Sequence, residues 1–120
     1  LIGGTGAVKP AIETGIRGLG YSSGQINRLW GSDRYETSKE VANKFFPKTK
    51  TVVLAFAQNF PDGLSGGPLA MKYRAPIVLT DSNKIAAAQA YVKSSGAEKS
   101  ITLGGPALIS DIAVKAIMGR

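Results

Sequence analysis

The sequence predicts an α/β domain in which βα units alternate around a mostly parallel central sheet flanked by helices on both faces, a three-layer sandwich. Three observations predict it. Short β-branched runs recur along the chain, each is followed by a glycine-containing turn, and helical patterns of about ten to thirteen residues fill the gaps. Strand–helix alternation of this kind gives a parallel sheet covered on both sides. With 120 residues the chain has the length of one domain, enough to bury a core without disulfide or metal staples.

Taken in order, Leu1-Ile2-Gly3 reads as the end of a strand, and Val8, Ile12, Ile16 and Leu19 form an apolar stripe at helical spacing. Ile26 to Trp30 is a weak strand suited to a sheet edge. A helix follows from about Glu36, with Val41, Ala42, Phe45 and Phe46 on one face. Asp33 and Glu36 before it have the spacing of a capping box, and Pro47 stops it. Thr51 to Ala57 is a buried-strand candidate. Asp62 to Arg74 has helical character interrupted by Gly66-Gly67-Pro68. Proline suits a first turn and is costly deeper in, so this helix begins near Pro68, or begins at Asp62 and is kinked. Pro76 to Thr80 is a second strand, with its proline where a missing N–H is tolerated. Ile85, Ala88 and Val92 mark a helix opened by Asp81-Ser82-Asn83 and closed near Gly96. Ser100 to Gly104 is the third strand, and Leu108, Ile109, Ile112, Ala113, Ala116 and Ile117 are the stripe of a last helix.

The composition excludes several chemistries. The chain has no cysteine and no histidine. That removes thiol catalysis, Cys- or His-based metal sites, Ser-His-Asp triads and the commonest general base. No pair of acids has metal-ligand spacing, and no motif asks for a cofactor. No apolar run reaches the roughly twenty residues of a membrane helix, and no signal-peptide pattern opens the chain. Fifteen Lys and Arg against eight Asp and Glu give a net charge of +7. It is spread along the chain, with eight basic and four acidic residues in 1–60 and seven and four in 61–120. A field of this sign concentrates polyanions, whether nucleic acid, wall polymer or acidic lipid, though it also simply keeps a small domain soluble.

The two ends of the chain echo each other. Leu1 to Val8 matches Thr102 to Ile109 at an offset of 101 residues, and the helical stripe continues the match through Ile16 and Ile117 and through Gly18 and Gly119. The chain thus reads as one repeat over 26–120, preceded in 1–21 by a segment like the tail of another, an excerpt from a tandem array.

Ligands of parallel α/β sheets bind beyond the carboxyl ends of the strands. Here those ends are Ala57-Gln58-Asn59-Phe60, Thr80-Asp81-Ser82-Asn83 and Gly104-Gly105-Pro106. Arg28 and Arg34 suit bidentate contacts to phosphate or carboxylate, and Tyr35 or Trp30 suits stacking on a sugar. Asn59, Ser65 and Ser82 are hydrogen-bonding groups along the strand ends. Structural roles compete with these. Asp33 caps a helix, Arg34 pairs with an acid such as Asp62, and Asp62 is more often a second helix cap than a lone general base. The turns at Gly3-Gly4 and Gly104-Gly105 can present N–H groups to an anion, but tight turning accounts for most such glycines. Asp33, Thr37, Asp62, Gly104 and Gly105 are therefore read as organising residues.

Several of these segments together resemble a known family. Arg28-Leu29-Trp30-Gly31-Ser32-Asp33-Arg34-Tyr35-Glu36-Thr37 is similar to its Arg-x-x-Gly-x-Asp-Arg-Tyr-x-Thr signature. Phe60-Pro61-Asp62-Gly63-Leu64 resembles its Phe-x-Asp-Ala-Leu segment, with Gly63 in place of alanine. Ala75 to Leu79 resembles its Ala-Pro-Ile-Leu-Leu strand, with Val78 in place of leucine, and Gly104 to Ile109 its Gly-Gly-x-x-x-Ile element. This is the cell wall-binding repeat type 2 family of Gram-positive surface proteins and autolysins. The resemblance implies a Rossmann/Toprim-like fold and non-covalent anchoring of a secreted protein to an anionic wall polymer. It also implies three tandem copies packed as a pseudo-trimer, and an activity such as an N-acetylmuramoyl-L-alanine amidase carried elsewhere in the parent protein. The expected partners are therefore the anionic polymer and sister repeats, or self-association as a trimer, without nucleic acid or membrane insertion. The competing readings are a hydrolase or phosphotransferase using Asp62 and a basic nucleic-acid binder. For the latter, neither a basic helix nor an aromatic RNA-binding motif is present.

Overall fold

The computed structural model describes residues 1–120, apart from the side chain of Phe60. Its elements are α1 (Pro10–Gly18), a short 3₁₀ turn (Ser23–Gln25), α2 (Arg34–Phe45), β1 (Thr51–Phe56), α3 (Phe60–Tyr73), β2 (Ile77–Thr80), α4 (Ala86–Ser95), β3 (Lys99–Leu103) and α5 (Asp111–Met118). The three strands are all parallel, in the order β2-β1-β3. Val53 of β1 stands opposite Ile77 on one side and Ile101 on the other.

The central strand explains the layering. Val52, Val53, Leu54 and Ala55 are all fully buried, as a strand covered on both faces requires. Val52 and Leu54 pack with Val78 against Ala42 of α2, Ala88, Tyr91 and Val92 of α4, and Ile117 of α5. Val53 faces the other way, with Ile77, Ile101 and Leu103, under Ala70 of α3 and Ala75. Fully burying a residue such as Leu54 contributes about 1.5–3 kcal/mol. β2 is an edge strand, and α2 shields it: the Leu79 N–H donates to Ser38 Oγ at 3.0 Å, so a backbone group that lacks a strand partner is satisfied.

The central sheet agrees with the expected one in its three core strands. The fourth strand differs. Ile26–Trp30 does not join β1–β3; Leu29 instead makes an isolated parallel bridge with Ile2. The Gly3 N–H donates to Leu29 O at 2.8 Å and the Leu29 N–H to Leu1 O at 2.9 Å. The helix α3 also differs. It runs unbroken from Phe60, with Pro61 in its first turn and Pro68 in its interior, where proline costs about 3 kcal/mol. Gly66 lies close over the sheet: a Cβ there would stand 2.3 Å from Leu103 Cδ1, the movable tip of a side chain. The last helix starts at Asp111, capped by Ser110, so Leu108 and Ile109 belong to the preceding turn. Four stripe residues face outward, Ile12, Leu19, Phe45 and Ile112, the last 81% exposed.

The leading segment stands apart from the core. Helix α1 is strongly amphipathic yet buries no residue. None of the buried residues in the three core clusters precedes Tyr35, so residues 22–120 contain all three clusters. The echo between the chain ends extends to geometry. Gly3 and Gly104 share a left-handed φ, +123° and +114°. The Ala7 and Val8 N–H groups both donate to Gly4 O, as the Leu108 and Ile109 N–H groups both donate to Gly105 O. Helix α1 then begins at Pro10 and α5 at Asp111, again 101 residues apart.

Candidate functional site

Parallel pairing brings the carboxyl ends of β1, β2 and β3 to one edge of the sheet. The loop after β2 is built around Asp81, which is 6% exposed. Its Oδ1 accepts from the Asn83 N–H at 2.7 Å and the Lys84 N–H at 2.8 Å, and its Oδ2 accepts from the Tyr35 hydroxyl. Burial works to raise the Asp81 pKa. The hydrogen bonds from Tyr35, Asn83, Lys84 and Gln58 outweigh it and hold the carboxyl below its ordinary value. Tyr35 moves the opposite way: burial first, then its bond to the Asp81 carboxylate, raise the phenol pKa. Lys84 Nζ lies 5.2 Å from the Tyr35 ring centroid, a cation–π distance. Thr80 Oγ1 closes the turn by donating to Lys84 O at 3.0 Å. A shallow pocket of about 350 Å³ lies beside this turn, walled by Gln58, Asp81, Ser82, Asn83, Lys84 and the Ala107-Leu108 turn.

The signature segment at 28–37 supports the same edge. Asp33 Oδ1 caps α2 by accepting from the Glu36 N–H at 2.9 Å. The Glu36 carboxylate pairs with Lys39 rather than closing the box. Thr37 Oγ1 accepts from the Gly31 N–H at 3.0 Å. Gly31 is required by contact: a Cβ there would lie 2.3 Å from Glu36 Cβ and 2.7 Å from its carbonyl carbon. Arg34 reaches the end of β1, donating from Nη1 to Ala57 O at 2.8 Å, while the residue as a whole stays exposed. It also lines a groove of about 560 Å³ between α2 and the Gly3-Gly4 turn.

The structure gathers some of the expected residues and separates others. Arg34, Asn59, Ser65 and Ser82 lie along or next to the strand ends. Asn59 and Ser65 are exposed, and the Ser65 hydroxyl donates to Asp62 O at 3.1 Å. Ser82 Oγ is engaged, donating to Leu108 O at 3.2 Å and accepting from the Ser110 N–H at 2.9 Å, so it ties two loops together. Tyr35 is buried, and its hydroxyl is committed to Asp81. Arg28 lies elsewhere. Its side chain is 12% exposed, and its guanidinium donates to Gly3 O and Val8 O, both at 2.8 Å, and pairs with Glu13 at 3.0 Å. Asp62 sits in the first turn of α3 without capping it and without an ion pair to Arg34 among the described residues. Its Oδ2 lies 3.4 Å from where a Cβ on Gly104 would stand. Gly105 is exposed. Among the described residues no group of three or more acids could hold a metal ion. Among the described residues, no helix is long and apolar enough to cross a membrane.

Charge divides between the two edges of the sheet. The carboxyl edge carries Arg34 and Lys84 with Asp33, Asp62 and Asp81. Lys48, Lys50 and Lys99 are exposed at the opposite edge, where β1 and β3 begin, with Lys44 and Lys93 at the nearby helix ends. Sequence reading singled out the arginines but not Gln58, Asp81 and Lys84 as a unit. The polar run Thr80–Asn83 directly after a buried strand was the available signal.

A small parallel α/β unit with a polar, shallow strand-end surface has the architecture of a binding module. The profile of cell wall binding domain 2 (CWB2) matches residues 28–115, and the chain belongs to that family. It is 33% identical over 113 residues to the N-acetylmuramoyl-L-alanine amidase LytC of Bacillus subtilis, covering 92% of this chain and 22% of LytC. It is 36% identical over 86 residues to an uncharacterised protein of Pyrococcus horikoshii, covering 71% of this chain and 25% of that one. The solved structure of Cwp8 from Clostridium difficile superposes with a TM-score of 0.72 and 26% identity, over 97% of this chain and 19% of Cwp8. The chain therefore spans about a quarter or less of the length of these relatives. It is a cell wall binding domain, and its place is the cell wall or cell surface.

Proposed function

We propose that this module holds a secreted parent protein on the wall by binding an anionic secondary wall polymer along the carboxyl edge of its sheet. The observation that carries the reading is Arg34: it is fixed to Ala57 O at one nitrogen and remains exposed at the junction of the strand ends and the groove. Asn59 and Ser65 add exposed hydrogen-bonding groups on the same edge. Tyr35, Asp81 and Ser82 hold the loops that display them, and Asp33, Thr37 and Gly31 fix the start of α2. The net charge of +7 raises the local concentration of polymer before contact.

Residues 1–21 serve as the tail of a preceding repeat, the main repeat occupies 26–120, and sister repeats pack together in the parent, which carries its enzymatic activity outside this domain. The test is co-sedimentation of the purified chain with cell-wall sacculi before and after chemical removal of their anionic polymers. Binding is expected to disappear on removal. Arg34→Ala is expected to lose retention while keeping the wild-type circular dichroism spectrum. Equal binding to stripped walls, or unchanged retention of the folded variant, overturns the assignment.

A further inference from the structure

Ile2 and Leu29 form an isolated parallel bridge within the chain. We infer that the free edge of β3, with the Gly104-Gly105 turn beyond it, is the seat for the Asn27–Trp30 strand of a second copy of this unit, clamped there by that copy's Arg28. The inference deepens the sister-repeat part of the proposal above and rests on it.

Within the chain, Asn27–Trp30 already grips one copy of the element. Leu1 N donates to Asn27 O at 2.7 Å, the Leu29 N–H to Leu1 O at 2.9 Å and the Gly3 N–H to Leu29 O at 2.8 Å. Arg28 adds Gly3 O and Val8 O, both at 2.8 Å. The Trp30 ring lies beside Gly4, 3.9 Å from a Cβ placed there. Every one of these partners has an equivalent 101 residues on: Thr102, Gly104, Gly105 and Ile109.

The backbone of β3 presents the same groups to the outside. The Lys99 N–H donates to Lys50 O of the segment leading into β1. Strand residues alternate the side to which their N–H and C=O point. Lys99, Ile101 and Leu103 therefore turn their backbone groups toward β1, and Ser100, Thr102 and Gly104 turn theirs outward. β3 is the last strand of the sheet on that side. Among the described residues, no protein group donates to Gly104 O or Ile109 O or accepts from the Gly104 N–H. A Cβ on Gly105 would meet nothing within 4 Å, so there is room for the indole. One contact is not repeated: Glu13, the third partner of Arg28, corresponds to Val114. The seat thus offers Arg28 two carbonyls, and strand addition supplies the rest of the bonding.

Sedimentation of two forms tests this without any polymer. In the full chain the Asn27–Trp30 strand is covered by residues 1–3, so 1–120 is expected to stay monomeric. Residues 22–120, which contain the whole core, expose both the strand and its seat. They are expected to associate head to tail, raising the average mass at least about twofold. In 22–120 the partners of Arg28 are gone, so Arg28→Ala leaves folding unchanged and is expected to abolish the association. Excess full chain, which offers a seat but no free strand, is expected to shorten the assemblies.

A monomeric 22–120, or association indifferent to Arg28→Ala, overturns the proposal, whatever wall binding shows. Should 22–120 not fold, the same question is put to a chain in which residues 20–120 follow residue 120. The Thr102 and Gly104 amides of its first half are expected to exchange at least about tenfold more slowly with solvent than in 1–120. Equal exchange rates overturn the proposal.

Discussion

Replacing Tyr35 by Phe removes one oxygen from the centre of the carboxyl edge. That hydroxyl donates to Asp81 Oδ2, and at 6% exposure water has little access to take its place. A hydrogen bond to a charged group contributes about 1.5–3 kcal/mol net. Asp81 keeps two backbone donors on Oδ1, and the ring remains to fill its space, so the expected loss is about 2 kcal/mol. With a urea m-value of about 1–3 kcal/mol per molar, the unfolding midpoint falls by about 1 M.

The pH dependence gives a second signature. Asp81 has a depressed pKa, so its contribution is complete above the ordinary value of 3.8 and is lost as pH falls through the lower folded value. Tyr35 has a raised pKa, so its contribution is complete below 10.0 and is lost as pH rises through the higher folded value. The stability difference between wild type and Tyr35→Phe is therefore constant between about pH 5 and 9 and shrinks at both ends. A midpoint shift under about 0.2 M at unchanged m-value, or a difference that persists undiminished into strong acid, refutes the reasoning.

Gly31→Ala drives a Cβ into the backbone of α2 at Glu36 and Thr37, and a loss of about 3 kcal/mol or more is expected in the same urea assay. Gly66→Ala meets only the tip of Leu103 at 2.3 Å; repacking there and the gain in helix propensity of about 1 kcal/mol leave its effect small. Replacing Lys48, Lys50 and Lys99 by Glu takes the net charge from +7 by −6 to +1. It is expected to weaken wall binding and flatten its salt dependence, read from Kd against salt concentration, while unfolding stays close to wild type.

The three core strands were legible because β1 and β2 are apolar runs bounded by turns, and β3 ends on a glycine pair. The amphipathic helices were legible for the same reason, though periodicity does not say whether a partner is present. Helix α1 has the strongest apolar stripe and buries nothing. Ile26–Trp30 has strand character, but its partner, the first three residues, can be found only in three dimensions. Pro68 misled because local propensity favours starting or kinking a helix there, and packing of α3 on the sheet overrides it. At the candidate site, the types of residue were legible and their availability was not. Arg28, Tyr35 and Ser82 look as free in sequence as the exposed Asn59, yet each is committed to a partner through a contact 20 or more residues away.

The doubled terminal element gives the folding chain two candidates for one berth. Both 1–19 and 102–120 form a glycine turn followed by a helix of the same pitch, and backbone geometry does not distinguish them. Their side chains do. Ala113 of α5 is buried, and the leading segment would bring the larger Ile12 there; Val114, which packs against the main core cluster, would be replaced by the charge of Glu13. Overpacking and a stranded carboxylate make the wrong occupant the weaker one. Divergence between the two elements thus acts as an address label, keeping 102–120 in the core although 1–19 shares its backbone form.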